Sequence, residues 1–121
     1  MDINYLAVAE NYPDLHNCSV TVIGLGYVGL PLAVEFAKRK KCNITGKFLS
    51  REVIGFDTNL ERIEELKMGF DRTGEISKEV LRKIYFSNLT NEISEIVNSD
   101  VFLVTVPTPI DDFKKPDLTA L

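Results

Sequence analysis

The chain has 121 residues, of which 45% are hydrophobic and 26% are charged, and its formal net charge is −4. This length suits a single domain with one hydrophobic core. The negative charge argues against a broad nucleic-acid surface, and no apolar run approaches the roughly 18 residues that span a bilayer. We therefore expect no nucleic-acid partner and no membrane partner.

The first 17 residues carry three acidic side chains and no Lys or Arg. This composition is not that of a secretory signal, so we expect a cytoplasmic protein. The two cysteines, Cys18 and Cys42, are then expected to be free, reduced thiols. We predict no metal site.

Residues 1–17 are predicted to form an N-terminal extension with one short helix around Tyr5–Asn11, and residues 18–121 a single domain. The compact, β-branched run Cys18–Ile23 predicts a buried strand. A glycine-rich turn follows. Apolar residues at spacings of four then predict a helix from Val28 to about Lys40, with Pro31 tolerated in its first turn.

A polar connection, Asn43–Arg51, leads to a second predicted strand, Glu52–Asp57. Thr58 and Glu61 have the spacing of a capping box, in which Thr58 would begin a helix that runs to about Met68. Gly69 is the expected stop of this helix.

The remaining predicted elements are a short helix at Lys78–Lys83, a strand at Ile84–Ser87, a helix at Asn91–Val97 and an apolar strand at Val101–Val106. A further helix is expected to begin at Leu118. Alternating strands and helices predict a parallel sheet with helices on both faces. The predicted fold class is α/β, a Rossmann-type doubly wound sheet.

Three glycines in the stretch "VIGLGYVGLP" have the spacing of a dinucleotide-binding turn between a strand and a helix. Gly24 permits the tight turn, Gly26 lets the backbone approach a pyrophosphate, and Gly29 lets the helix pack closely on the strand. Asp57 ends the second strand and can accept hydrogen bonds from ribose hydroxyls. A carboxylate there repels a 2′-phosphate, which favours NAD over NADP. The alternative is a glycine-rich turn in a flavodoxin-like or other doubly wound fold.

Asp57 lies 28 residues after Gly29, whereas about 20 is usual. The excess lies in Asn43–Arg51, between the first helix and the second strand. Helices return the chain to the end of the sheet opposite the cofactor, so we expect this insertion to leave the site intact.

The segments "GLGYVGLPLA", "GFDTNLERIEELKMGFDRT" and "VTVPTPIDDFKKPDL" resemble the N-terminal domain of the UDP-glucose/GDP-mannose dehydrogenase family. Within these segments, the variants "DRT" and "PTPID…PDL" are most similar to the branch of the family that oxidises UDP-N-acetyl-hexosamines. The resemblance implies oxidation of the sugar C6 hydroxyl to a carboxylate by two NAD, through a thiohemiacetal on a catalytic Cys. It also implies a UDP-sugar partner, a role in polysaccharide biosynthesis and a homodimer in the full-length enzyme.

Matching residue by residue, the resemblance assigns cofactor contacts to the glycine loop, to the end of the second strand and to the loop after the fourth strand. These residues are Gly24, Leu25, Gly26, Tyr27, Val28, Gly29, Asp57, Arg62, Thr105, Val106, Pro107 and Thr108. Arg62 would approach the adenosine end of NAD; the alternative is a solvated position on an amphipathic helix.

The family's catalytic Cys and its Lys and Asn partners would lie beyond residue 121, so no catalytic residue is assigned here. Cys18 and Cys42 are expected far from the ligand edge. The resemblance thus implies the first part of the NAD-binding domain, inactive by itself. Two alternatives remain: an NAD(P)-dependent β-hydroxyacid-type dehydrogenase, and a non-catalytic dinucleotide-binding module.

Overall fold

The computed structural model describes residues 12–14, 16–83, 88–107, 110 and 112–121. Four parallel strands form one sheet in the order β3-β2-β1-β4. They are β1 (Val20–Ile23), β2 (Val53–Phe56), β3 (Asn88–Thr90) and β4 (Val101–Val104). The predicted parallel α/β sheet is confirmed, and its order is that of the first four strands of a Rossmann fold.

Among the described residues, three α-helices lie between these strands: α1 (Gly29–Lys38), α2 (Leu60–Lys67) and α3 (Lys78–Lys83). Each lies within two residues of its predicted bounds. In the part of the chain that the structure describes, no helix has both the length and the apolar character needed to cross a membrane.

The core occupies both faces of the sheet, because side chains alternate along each strand. On one face, Val22 of β1 packs with apolar side chains of α1 and α2. On the other, Ile54 and Phe56 of β2 pack with Ile96. The sheet is therefore packed on both faces around β1 and β2, the strands that precede the glycine loop and Asp57.

The predicted start of α2 is wrong by one residue. The capping side chain is Asn59, not Thr58: its carbonyl oxygen accepts from the backbone N–H groups of Glu61 (3.0 Å) and Arg62 (3.4 Å). Asn59 is held in place because its own N–H donates to Asp57 Oδ1, 2.9 Å away. Helix α2 therefore begins at Leu60, one residue later than a cap at Thr58 predicts.

The predicted helix at Asn91–Val97 is also wrong. A single 3₁₀ turn, Ile93–Glu95, stands in its place. Only Ile96 is buried in this stretch, while Ile93 and Val97 are 68% and 60% exposed. Without an apolar stripe against the sheet, a longer helix gains no packing energy.

Two predicted elements, the helix at Tyr5–Asn11 and the strand at Ile84–Ser87, lie outside the described residues. The third strand that the structure does describe, β3, begins at Asn88. At the carboxyl end, Leu118–Leu121 forms a turn rather than the start of a helix, with the Leu121 N–H donating to the Leu118 carbonyl.

The strand β4 lies at the edge of the described sheet, and it is not covered on both faces as its apolar sequence predicts. Phe102 and Val104 are 44% and 51% exposed. Both point to the same side of the strand. No described residue packs over this side as fully as α1 and α2 pack over the opposite face.

The connection Asn43–Arg51 lies at the amino end of the sheet, as predicted. The Ser50 N–H donates to the His16 carbonyl and the Val20 N–H donates to the Glu52 carbonyl. Lys41 and Phe48 form an isolated antiparallel bridge. The additional residues therefore leave the carboxyl end of the sheet unobstructed.

Candidate cofactor site

The glycine loop lies where the strand order reverses, between β1 and β4. In folds of this type, ligands bind in a crevice beyond the carboxyl ends of the strands at such a point. The Gly24 N–H donates to the carbonyl of Phe56 in β2, and the Thr105 N–H donates to the carbonyl of Ile23 in β1. Segments following three strands thus meet at one edge.

Gly24 and Gly29 are required by close backbone packing. Gly24 has a φ of +93°, which side chains disfavour, and a Cβ on Gly29 would lie 1.7 Å from the Gly24 carbonyl oxygen. The Thr105 hydroxyl lies beside both and donates to the Gly24 carbonyl at 2.7 Å. Thr105 therefore fastens the end of β4 to the loop.

Gly26 faces open space. A Cβ built there would meet no atom within 4 Å, so the glycine is not explained by protein packing. The adjacent N-terminus of α1 has Val28 as its cap, with no side-chain hydrogen bond to the helix N–H groups. Uncapped N–H groups and the helix dipole both favour an anion, and the open backbone at Gly26 fits a pyrophosphate.

Asp57 follows β2 and lies at the same edge, as predicted. Its Oδ2 accepts from the Leu25 N–H at 2.9 Å, and its Oδ1 accepts from the Asn59 N–H. Each carboxylate oxygen can accept a second hydrogen bond. The half-buried carboxylate borders a cavity of about 220 Å³ with Gly26 of the loop, where the two ribose hydroxyls of an adenosine would find acceptors.

Arg62 is buried, so the alternative of a solvated helix position is wrong. Its residue exposure is 6%. Its Nε donates to the Leu25 carbonyl at 2.7 Å, and its Nη1 lies 2.7 Å from Glu65 Oε1 and 2.9 Å from Asp71 Oδ1. Its Nη2 is buried without a hydrogen-bond partner. Arg62 thus holds the glycine loop through the Leu25 carbonyl, and its Nη2 has no acceptor among the described residues.

The sequence reasoning did not identify the acidic partners of Arg62. The Asp71 side chain is fully buried and accepts four hydrogen bonds from the loop that follows it. Oδ1 accepts from the Thr73 hydroxyl and N–H, and Oδ2 accepts from the N–H groups of Glu75 and Ile76. Burial favours a raised pKa for Asp71, but these bonds and Arg62 outweigh it and lower the pKa. The D-x-T spacing is a turn signal that could have located this loop.

Glu65 bridges two arginines. Its Oε1 accepts from Arg62, and its Oε2 accepts from Arg72 Nε at 2.7 Å. Burial favours a raised pKa for Glu65, but the bonds from Arg62 and then Arg72 outweigh it and lower the pKa. The same contact raises the pKa of Arg72. Arg72 and Thr73 also line the cavity beside Asp57.

The other residues assigned from the resemblance differ in placement. The Leu25 side chain is fully buried, so only its backbone lines the cavity, whereas Tyr27 and Val28 are 71% and 52% exposed beside the loop. Val106 is half-buried and Pro107 exposed after β4. Thr108 lies outside the described residues.

Both cysteines are free, as predicted. Cys18 is buried just before β1, and Cys42 follows α1 at the amino end of the sheet. Hydrogen bonds from the Thr45 side chain and backbone lower the pKa of the Cys42 thiol to about 6. Cys42 therefore has a stabilised thiolate, but α1, about 15 Å long at 1.5 Å per residue, separates it from the glycine loop.

Residues 18–121 match the family described as the UDP-glucose/GDP-mannose dehydrogenase family, NAD binding domain. The chain is 48% identical over 102 residues to UDP-N-acetyl-D-glucosamine 6-dehydrogenase of Salmonella typhi and 45% identical over 107 residues to that of Pseudomonas aeruginosa. These alignments cover 84% and 88% of this chain, but only 21% and 23% of the relatives.

A UDP-glucose dehydrogenase from Pyrobaculum islandicum has a similar structure, with a TM-score of 0.67 and 28% identity over 87% of this chain and 23% of its own. A GDP-mannose dehydrogenase of Pseudomonas aeruginosa shares the fold, with a TM-score of 0.63 and 24% identity over 84% of this chain and 22% of its own. The glycine loop and Asp57 lie within the matched region, and the chain belongs to the UDP-glucose/GDP-mannose dehydrogenase family, within its NAD binding domain.

Proposed function

We propose that this chain is the NAD-binding part of a nucleotide-sugar 6-dehydrogenase that oxidises a UDP-N-acetyl-hexosamine to its uronic acid. The observation that carries the proposal is the edge at which the open Gly26 backbone, the uncapped start of α1 and the Asp57 carboxylate meet. NAD, when bound, supplies the hydride acceptor. The chain's own residues bind and orient it: the loop N–H groups hold phosphate and Asp57 accepts from ribose.

The substrate class is supported by the two relatives at 48% and 45% identity, both UDP-N-acetyl-D-glucosamine 6-dehydrogenases. A UDP-N-acetyl-D-mannosamine dehydrogenase of Yersinia pestis is 34% identical. The chain spans less than a quarter of the length of these relatives. We place the nucleophilic Cys and the sugar site outside these 121 residues, in a cytoplasmic, homodimeric enzyme of polysaccharide biosynthesis.

The substrate is tested by following NADH absorbance with the full-length protein that contains this sequence. UDP-N-acetylglucosamine, its manno and galacto epimers and UDP-glucose are supplied separately with NAD. We expect NADH from an N-acetylated sugar, two per sugar oxidised. Failure of all four sugars, with NAD still bound, would favour the alternative of a non-catalytic dinucleotide-binding module.

Cofactor contact is tested by Asp57→Ala in the same protein. Loss of a charged hydrogen-bond acceptor should weaken NAD binding by roughly 1–3 kcal/mol, measured by calorimetry. Tighter binding of NADP than NAD by the unmutated protein contradicts the assignment of Asp57 to the ribose.

A further inference from the structure

Two arginines, Arg62 and Arg72, line the cavity beside Asp57. In dinucleotide-binding folds an arginine near this position accommodates the 2′-phosphate of NADP, because its planar group binds phosphate in a bidentate manner. Two free arginines would therefore be a reason to expect NADP binding, in conflict with the expectation from Asp57.

Both guanidinium groups are bound by a carboxylate, Arg62 through Nη1 and Arg72, whose side chain is 60% exposed, through Nε. Glu65, whose side chain is only 9% exposed, binds both: Oε1 lies 2.7 Å from Arg62 Nη1 and Oε2 lies 2.7 Å from Arg72 Nε. Arg62 is engaged further by Asp71, at 2.9 Å, and by the Leu25 carbonyl. The network is a bridge from α2 to the loop after it, with Glu65 at its centre.

The charged groups around the cavity beside Asp57 have a negative net charge. Asp57, Glu65 and Asp71 contribute three carboxylates against two guanidinium groups, and two of the carboxylates are buried. The charges of the two buried carboxylates are screened less by water than exposed charges are. A ribose hydroxyl can be accommodated here, but a phosphate dianion meets an excess of negative charge.

Resting on the proposed function, we infer that Glu65 is a positioning residue for cofactor choice: by binding both Arg62 and Arg72 it withholds them from a 2′-phosphate. Rejection of NADP then depends on two carboxylates, Asp57 by direct contact and Glu65 through the arginines.

The test is Glu65→Gln in the full-length protein, with NAD⁺ and NADP⁺ affinities measured separately by calorimetry. Gln keeps the size but loses the charge. We expect NADP⁺ to bind about tenfold tighter and NAD⁺ to change by less than about threefold. The gain should shrink at high salt because it is electrostatic. Adding Asp57→Asn should increase the NADP⁺ gain further.

Glu64→Gln is the matched control, since it removes the same charge from an exposed position of the same helix. It should leave the ratio of the two affinities unchanged. Where Glu65→Gln fails to unfold cooperatively, Glu65→Asp is measured instead. Asp keeps the charge but is one methylene too short to reach both arginines, so a smaller shift toward NADP⁺ is expected.

An affinity ratio unchanged in a folded Glu65 variant that still binds NAD⁺ overturns the inference, as does an equal shift in Glu64→Gln. Absence of NAD⁺ binding by the unmutated protein overturns the proposed function instead. The two failures are therefore distinguishable.

Discussion

At the scale of single residues, Gly29 is the position with the least space. A Cβ there would lie 1.7 Å from the Gly24 carbonyl oxygen and 2.3 Å from the Thr105 hydroxyl. The backbone of β1, α1 and the end of β4 would have to move apart. We expect Gly29→Ala to lower the free energy of unfolding by about 1–3 kcal/mol, despite the higher helix propensity of Ala, as measured by urea denaturation.

Gly26→Ala is the matched variant, because a Cβ at Gly26 meets nothing within 4 Å. Its unfolding free energy should stay within about 0.5 kcal/mol of the parent, while NAD affinity falls because the methyl group occupies the phosphate space. Equal loss of stability in both variants would show that Gly26, too, is a packing glycine.

Cys42 allows a prediction about pH. The Thr45 hydrogen bonds stabilise its thiolate and lower the pKa of the thiol to about 6 from an ordinary value of 9.0. The reactive thiolate should therefore be present above pH 6 and disappear as the pH falls through this value. We expect the rate of Cys42 alkylation by iodoacetamide to rise with a midpoint near pH 6, as followed by mass spectrometry.

Cys18 is the internal control, since it is 4% exposed and should be alkylated only after unfolding. A midpoint near pH 9 for Cys42 would contradict the thiolate contacts described here. In Thr45→Val, which removes the hydroxyl donor, the midpoint should shift to higher pH.

At the scale of elements, Asn59 caps α2 in the structure, whereas the capping-box spacing predicts Thr58. Asn59 accepts from two N–H groups of the first turn, whereas Thr58 is exposed and does not cap it. Asn59→Ala should cost about 1 kcal/mol of unfolding free energy, and Thr58→Ala less than about 0.5 kcal/mol. The reverse order, measured by chemical denaturation, would restore the capping box.

Elements with a strong local pattern were predictable. The apolar run of β1, the spacing of four along α1 and the glycine after α2 fix their bounds within two residues, because these signals are local. The helix expected at Asn91–Val97 failed because its pattern is weak and only Ile96 reaches the core. The alternation of strands and helices predicts the parallel pairing, but the contacts of Ile96 depend on distant segments that no local signal identifies.

The candidate site, like the fold, was predictable only where its residues follow a local sequence pattern. Gly24, Gly26, Gly29 and Asp57 are identified by spacing, and the structure places them at one edge. The arrangement around Glu65 and Asp71 was not identified, because it depends on how a loop folds back on α2. On sequence alone, Glu65 has the same standing as its exposed neighbours Glu61 and Glu64.

At the scale of the whole molecule, the described sheet is asymmetric. Around β1 and β2 it is packed on both faces, whereas β4 exposes Phe102 and Val104. A dinucleotide site of this class is completed by two mononucleotide-binding halves, and no strand lies beyond β4 among the described residues. On the proposed function, we expect the chain to contact the adenosine side of NAD and to reach the nicotinamide side only through the Thr105 end of β4.

This asymmetry leads to a prediction for the 121-residue chain by itself. It should bind NAD weakly, because the described sheet has no strand beyond β4 to complete the crevice. It should form no NADH with UDP-N-acetyl-hexosamines or UDP-glucose, because neither cysteine lies at the ligand edge. Absorbance at the NADH band, compared with the full-length protein at equal concentration, measures this. Sustained turnover by the chain alone would mean that the nucleophile lies within it.

Cys18→Ser and Cys42→Ser in the full-length protein give the complementary result: turnover should persist in both, since each thiol is remote from the glycine loop.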